Sequence, residues 1–392
     1  MGGYKGLRDR TRIQFAVKPE LVRVKLQTNY MKKYNKTKLL ALVALPTLLS
    51  ATVLAPLAGA TTLTSKNWRF EVPITGPTPI TAPGNISIDS AGNFWVGNTS
   101  ANTVQEIKKV GNSYVPQEPL SGSGPTALSF PTAAAADSHG NVWVANTYGN
   151  SIEEFTLSGS TYTAQTPITG FDAPTSVRID ANDNLWVVNS GTLFNGSGNG
   201  SIQEVIKVSG TWTPQTAITT SDLVQPYDLT LDGANKIWVA TEPDGTSSGG
   251  YVLLFTKSGS TWSQTSKLNG TGGNAFEGPQ GVVADKSGNV WVMNFGGNSI
   301  QEIAKSGSTY TVEAPIASEG HPFDQPNGIV IDAKGNLWVA NWVSNSIQEI
   351  TFIPTAGLAS TGFSALNFTI GASLLLIFGV VATRTSRRKL AL

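Results

Sequence analysis

Short apolar runs alternate with polar turns along most of this chain, and the alternation is periodic. The clearest unit runs from Gln325 to Ile350, QPNGIVIDAKGNLWVANWVSNSIQEI. Its core, GNLWVAN, recurs as GNFWVGN at 92–98, GNVWVAN at 140–146, DNLWVVN at 183–189, NKIWVAT at 235–241 and GNVWVMN at 288–294. The tryptophans of these segments (Trp95, Trp143, Trp186, Trp238, Trp291 and Trp338) stand 48, 43, 52, 53 and 47 residues apart. Each unit opens on an apolar run such as PNGIVID (strand a) and turns into the Trp-bearing run (strand b). It continues in a run such as NSIQEI (strand c) and closes on one such as STYTAQTPI at 160–168 (strand d). Short runs rich in Val, Ile, Thr, Tyr and Trp, punctuated by Gly and Asn, predict strands. A four-strand repeat of roughly 40–50 residues predicts a propeller.

Strand b is apolar on both faces, which suits a blade packed between two others. The a–b turn opens on Asp every time, at Asp89, Asp137, Asp180, Asp232, Asp285 and Asp332. Three positions later stands Gly92, Gly140, Asp183, Asn235, Gly288 or Gly335, the residue types that tolerate the positive φ such a turn needs. The leading Asp is read as an acceptor for turn amides, not as a metal ligand, because the six acids are spread one per unit. The sixth unit lacks a strand d. WRFEVPITG at 68–76 matches YTAQTPITG at 162–170, so the N-terminal strand is expected to complete the last blade and remove an open edge. The expected fold is all-β, a six-bladed β-propeller over 61–353, flanked by an N-terminal signal peptide and a C-terminal transmembrane helix.

The pattern P-x-G-I-x-I-D-x-x-G-N-x-W-V-A-N-x-x-x-N-S-I-Q-E-I resembles that of the NHL-repeat propellers and their streptogramin-lyase and gluconolactonase-like relatives, over about residues 77–350. The resemblance implies the fold. For function it implies a range, since such propellers include scaffolds, ligand binders, lactonases and lyases.

The two ends carry a different grammar. Residues 1–40 hold 11 Lys/Arg against two acids, and 1–60 read as a basic leader and signal peptide. From Met31 the chain has a basic start, an apolar middle and Ala58-Gly59-Ala60, which places signal cleavage after Ala60. At the other end, 354–362 is a linker holding Leu358, Ala359, Ser360, Thr361 and Gly362. A mostly apolar run follows at 363–383 and a basic tail at 384–392. Twenty-one residues suffice to span a bilayer, and the basic cluster would stay cytoplasmic. The pentapeptide resembles the L-A-x-T-G variant of the sortase sorting motif, which implies cleavage between Thr361 and Gly362 and attachment of Thr361 to the cell wall. The expected address is the outer face of a bacterial cell, with wall or membrane anchorage.

Composition narrows the partners. The body, 61–361, has 12 Lys/Arg and 24 Asp/Glu, a net charge of −12, which argues against nucleic acid. The absence of cysteine excludes disulfides and thiolate metal sites. No nucleophile elbow, zinc His pair or phosphate loop stands out. Strand alternation puts d–a and b–c connections at one end of the blades (the loop face) and a–b and c–d turns at the other (the turn face). Irregular insertions gather on the loop face, where function is commonly grafted. Candidate binding residues there are Phe194, Glu242, Asp244, Phe276, Glu277, His321 and Asp324. The Asn row closing strand b (Asn98, Asn146, Asn189, Asn294 and Asn341) is read as binding b–c loop amides. The function expected is a displayed monomeric module binding a protein, glycan or small ligand, with no cofactor. The alternative is a secreted lyase or lactonase using a divalent metal.

Overall fold

The computed structural model describes residues 68–352 apart from 72, 75–77, 192–199, 243–248 and 319. They form six antiparallel sheets arranged as the blades of a propeller, and the only helical elements among them are three-residue 3-10 turns. Blade 1 shows the plan: strand a is Pro83–Ile88, b is Phe94–Asn98, c is Thr103–Val110 and d is Ser113–Pro116. Strands a of blades 2 to 6 are Pro131–Ala136, Pro174–Ile179, Pro226–Leu231, Pro279–Ala284 and Pro326–Ile331. In blade 6, strand c (Ser346–Phe352) pairs on its outer side with Trp68–Phe70, in the register Trp68↔Phe352 and Phe70↔Ile350. The expected leader, sorting motif and membrane span lie outside the described residues. Among those described, no helix is long and apolar enough to cross a membrane.

The turn face is held by one device repeated round the ring. Asp137 Oδ1 accepts the amides of His139 and Asn141, both at 2.9 Å. Its Oδ2 accepts Asn141 Nδ2 at 2.9 Å and the indole N–H of Trp143 at 3.2 Å. Asp89, Asp180 and Asp332 repeat all four bonds. One carboxylate thus closes the turn and satisfies the one polar atom of a buried tryptophan, which is why Asp, Asn and Trp recur together. Gly92, Gly140, Asp183, Gly288 and Gly335 have φ between 60° and 89°. Blade 4 departs from this plan. Its positive φ falls on Gly233 (69°) instead of Asn235, because the turn winds into a 3-10 segment over Gly233–Asn235, and Trp238 Nε1 is left without a partner.

The core is divided among the six seams between blades, with one hydrophobic cluster at each. At every seam the strand-b tryptophan meets an aromatic ring of the next blade's strand d edge-on. The pairs are Trp95–Tyr162, Trp143–Trp212, Trp186–Trp262, Trp238–Tyr310, Trp291–Trp68 and Trp338–Tyr114, with centroids 4.7–5.7 Å apart. Edge-to-face contact sets the positive rim of one ring on the negative face of the other. Trp68 supplies this contact for the seam between blades 5 and 6.

The loop face has its own repeated frame, and it differs from the sequence reading. The Asn closing strand b binds amides of the d–a connection, not of the b–c loop. Asn146 Oδ1 accepts Ser129 N–H at 2.7 Å, and Asn98, Asn189, Asn294 and Asn341 accept from Thr81, Asp172, Glu277 and Asp324. The reason is the direction of strand b, which carries its last side chain toward the incoming d–a segment. A second asparagine, in the b–c turn, reaches the next blade: Asn102 accepts Phe130 N–H at 2.8 Å, and Asn345 accepts Ala82 N–H across the closing seam at 2.6 Å.

Candidate functional site at the loop-face mouth

The six a strands surround the central axis, and the channel they form is stoppered. Arg178 leaves strand a of blade 3 and crosses it. Its Nη1 donates to the Ile86 carbonyl at 2.9 Å, and Nη2 donates to Asn85 Oδ1 at 2.8 Å and Asp228 Oδ2 at 2.7 Å. Nε donates to the Leu229 carbonyl at 3.2 Å. Blades 1 and 4, on opposite sides of the ring, are thereby tied through one guanidinium. Asp228 is fully buried, and besides Arg178 it accepts Ser176 Oγ at 2.7 Å and the Val282 amide at 3.2 Å. These donors come from blades 3 and 5, so the carboxylate joins both to its own blade 4. On the turn side of the stopper lies a cavity of about 250 Å³ lined by Ser87, Ala135, Thr230, Val283 and Val330.

On the loop side two positions in each blade meet. The second residue of strand a is Gly84, Thr132, Thr175, Tyr227, Gln280 or Asn327, and the residue after strand b is Thr99, Thr147, Ser190, Glu242, Phe295 or Trp342. Several of their side chains are bonded from blade to blade. Thr147 Oγ1 lies 2.7 Å from Thr132 Oγ1 and donates to the Pro174 carbonyl at 2.8 Å. Thr175 Oγ1 donates to the Pro226 carbonyl at 3.2 Å. Gln280 Nε2 donates to Glu242 Oε2 at 2.7 Å, and Asn327 Nδ2 to Gln280 Oε1 at 3.2 Å. Trp342 Nε1 donates to Thr99 Oγ1 at 3.1 Å, closing the circuit from blade 6 to blade 1. At Gly84 a Cβ would meet the Thr132 carbonyl at 2.3 Å, so the two backbones touch and no side chain fits. The mouth is two-sided. Blades 1 to 3 place hydroxyls there, with Thr132 half-buried and Thr99, Thr147, Thr175 and Ser190 buried. Blades 5 and 6 present the half-buried rings of Phe295 and Trp342, centroids 6.5 Å apart. Between them stand Tyr227 and Glu242; burial, and then the Glu242 charge, raise the Tyr227 hydroxyl above the ordinary phenol value.

The candidates chosen from sequence fall in several places. Phe194 and Asp244 lie outside the described residues. Glu242 is at the mouth, but as a buried member of the bonded circuit (1% exposed), not as a loop-tip acid. Phe276 is a correction: it is 1% exposed and packs with Trp238, Val282 and Val290 in the seam between blades 4 and 5. Its place is a repeat position, three residues before the strand-a proline, which Ile80, Leu128, Phe171, Leu223 and Phe323 fill in the other blades, all buried. Glu277 is exposed and Asp324 half-buried, and both occupy the frame position whose amide binds the strand-b asparagine. His321 is half-buried, and its carbonyl accepts Gln348 Nε2 at 2.9 Å and Ser318 Oγ. The mouth residues were missed because they sit inside the repeat. The signal that could have found them is chemical change at a fixed register, not irregular loop length.

Neither a serine relay nor a metal centre is assembled among the described residues. Ser138, His139 and Asp183 meet on the turn face, but Ser138 Oγ donates to Asp183 Oδ2 at 2.6 Å and lies 3.3 Å from His139 Nδ1. Serine and carboxylate share one ring nitrogen, so no relay through the imidazole exists. A divalent metal, which the lyase and lactonase resemblance would require, needs several donors. Among the described residues no three His, Asp or Glu side chains converge to hold one, and Asp228 is committed to Arg178. The described residues do not fit that group.

No protein-family model matches this chain, and no curated protein does. Solved structures do match it. A gluconolactonase from Xanthomonas campestris aligns over 69% of this chain and 86% of its own, at 10% identity and a TM-score of 0.51. A member of carbohydrate-active enzyme family AA12 from Trichoderma reesei aligns over 74% and 96%, at 13% identity and 0.51. The likeness is one of fold: a six-bladed β-propeller. A virginiamycin B lyase from Staphylococcus aureus aligns over 73% and 100%, at 17% identity and 0.49. At these identities the comparisons speak for architecture, and a propeller is a frame on which unrelated sites are built.

Proposed function

We propose that this chain is a surface-displayed binding module that takes a sugar unit of a glycan at the loop-face mouth. The observation that carries this reading is the division of the mouth into a hydroxyl-lined half and a half-buried Phe295–Trp342 pair. A sugar ring has one apolar face of C–H groups and an edge of hydroxyls. The first stacks on a fixed indole, and the second meets the half-buried Tyr227, Asn327 and Thr132. Trp342 is held by its bond to Thr99 before any ligand arrives, which lowers the cost of ordering it. The end segments supply the address: export through 31–60, arrest by 363–383, and transfer of Thr361 to the wall by a sortase.

Titration calorimetry of the full-length chain with cell-wall glycan fragments and simple oligosaccharides tests the site. Trp342→Ala should weaken binding at least about tenfold, roughly 1.4 kcal/mol, while costing the fold about 1 kcal/mol or less. Failure of every sugar to bind, or equal loss from substitutions on the turn face, overturns the reading. Fractionation tests the address separately. Thr361→Ala should move the protein from the wall to a detergent-extractable membrane fraction.

A further inference from the structure

Strand c carries a glutamine with one task in four of six blades, buried in blades 1, 5 and 6 and half-buried in blade 3. Gln105 Nε2 donates to the carbonyl of Gln117 at 2.7 Å, Gln203 to that of Gln215 at 2.9 Å, and Gln301 to that of Glu313 at 2.7 Å. In each case the partner lies 12 residues on. In blade 6, which takes its strand d from the N-terminus, Gln348 reaches the Glu71 carbonyl at 3.5 Å. The receiving segment is set alike each time, by the amides of Gln117, Gln215, Glu313 and Glu71 donating to the strand-c carbonyls of Glu106, Glu204, Glu302 and Glu349 at 2.8–2.9 Å. Blade 4 has Leu253 at this position.

Blade 2 has an acid there. Glu153 is 1% exposed, and its Oε1 accepts Ser151 Oγ at 2.7 Å and Asn146 Nδ2 at 3.1 Å. Oε2 is buried without a hydrogen-bond partner. The segment 12 residues on is placed as in the other blades, with Gln165 N–H donating to the Glu154 carbonyl at 2.8 Å. Among the described residues no other donor is aimed at the Gln165 carbonyl. A carboxylate has nothing to donate, whereas a carboxylic acid has one O–H. We propose that Glu153 is folded as the neutral acid and gives its Oε2 proton to the Gln165 carbonyl, so that blade 2 alone carries a latch operated by a proton.

The surroundings agree. Ser151 and Asn146, the side chains bonded to it, are uncharged. The charged groups nearest along the strand (Glu154, with Asp137 and Lys207 beside it) belong to the opposite face, since successive side chains alternate. Burial is the largest influence on the Glu153 carboxyl and raises it above the ordinary range, against the lowering effect of Ser151 and Asn146. Deprotonation would set a charge against the Gln165 carbonyl and strengthen the pull on Asn146, whose Nδ2 donates to the carboxyl and whose own Oδ1 holds the Ser129 amide. That connection bears Phe130, stacked at 4.7 Å on the exposed ring of Tyr148. The latch therefore reports pH to an aromatic pair on the loop face.

Glu153→Gln restores the amide of the other blades and removes the proton. Denaturant unfolding of the full-length chain should show the two proteins alike near pH 4. The variant should gain as pH rises, about tenfold in the unfolding constant for each unit by which folding raises the acid. Infrared difference spectra of wild type minus Glu153→Gln at neutral pH should show a protonated carboxylic acid. A pH-independent gap between the proteins, or a difference spectrum holding only an ionised carboxylate, overturns the proposal. Glu153→Ala, which removes the acid without supplying a donor, should be less stable than Glu153→Gln at every pH. Equality of those two would also overturn it.

Discussion

The two ends of each blade grow from the same repeat and are finished differently. At the turn face every strand-b tryptophan is sealed against the aromatic of the next blade, and in four blades a carboxylate caps its indole nitrogen. At the loop face the corresponding register holds a threonine, a serine, a glutamate or a half-buried ring, according to the blade. The first end repeats because each copy solves the same packing problem. The second varies because its side chains face the axis, where a ring of six positions can differ without disturbing any seam. Stability should thus be read at one end and recognition at the other.

The strongest challenge to that division is Trp68→Ala. It removes the edge-on partner of both Trp291 (5.1 Å) and Phe352 (5.2 Å) from a position 8% exposed. Urea unfolding should show a loss of about 3–5 kcal/mol. A loss as small as that of Trp342→Ala would break the comparison. Next comes Asp137→Ala, which releases two amides, an Asn side chain and an indole and should cost about 2–3 kcal/mol. Asp232→Ala in blade 4 should cost under about 1 kcal/mol by the same assay, since Oδ2 there has no hydrogen bond and only a partly exposed Lys236 at 3.8 Å.

The turn face also titrates. Burial, then the charges of Asp285 and Glu313, push the Glu302 carboxyl up to about 7. A group that binds its proton more tightly when folded stabilises fully below its unfolded value and loses that contribution as pH rises through the folded one. Melts between pH 4.5 and 8 should therefore show falling stability, and Glu302→Gln should flatten the fall by about 1–2 kcal/mol. The smallest expected effect is that of Trp342→Ala on the fold, about 1 kcal/mol or less by thermal melt, although it is the substitution expected to do most to ligand binding.

Much of the propeller was legible because its grammar is local. An Asp, a positive-φ residue and a Trp six positions after the Asp specify a turn and a strand without reference to the rest of the chain. Phe276 shows where that reading ran out. In a single unit it looks like a loop aromatic, and only the aligned series Ile80, Leu128, Phe171, Leu223 and Phe323 marks it as core. Arg178 marks a second boundary. Its partners Asn85 and Ile86 lie in another blade, and no local pattern foretells a side chain that crosses the axis. Glu153 differs from its counterparts by one amide group, a change without meaning until the carbonyl 12 residues on is seen to need a donor.

The pairing of Trp68 with Phe352 sets the first and last described residues of the ring side by side. The gene is linear, but the object it encodes has no privileged beginning. In blade 2 the step from Ser158 to Thr161 is a two-residue turn joining the same two strands that the chain leaves unjoined in blade 6. A linker of that kind, laid between the ends of the ring, would let the protein be cut and restarted at an exposed d–a connection such as 270–273. The permuted chain would then trade a closure made by hydrogen bonds for a covalent one, with every blade still in its place.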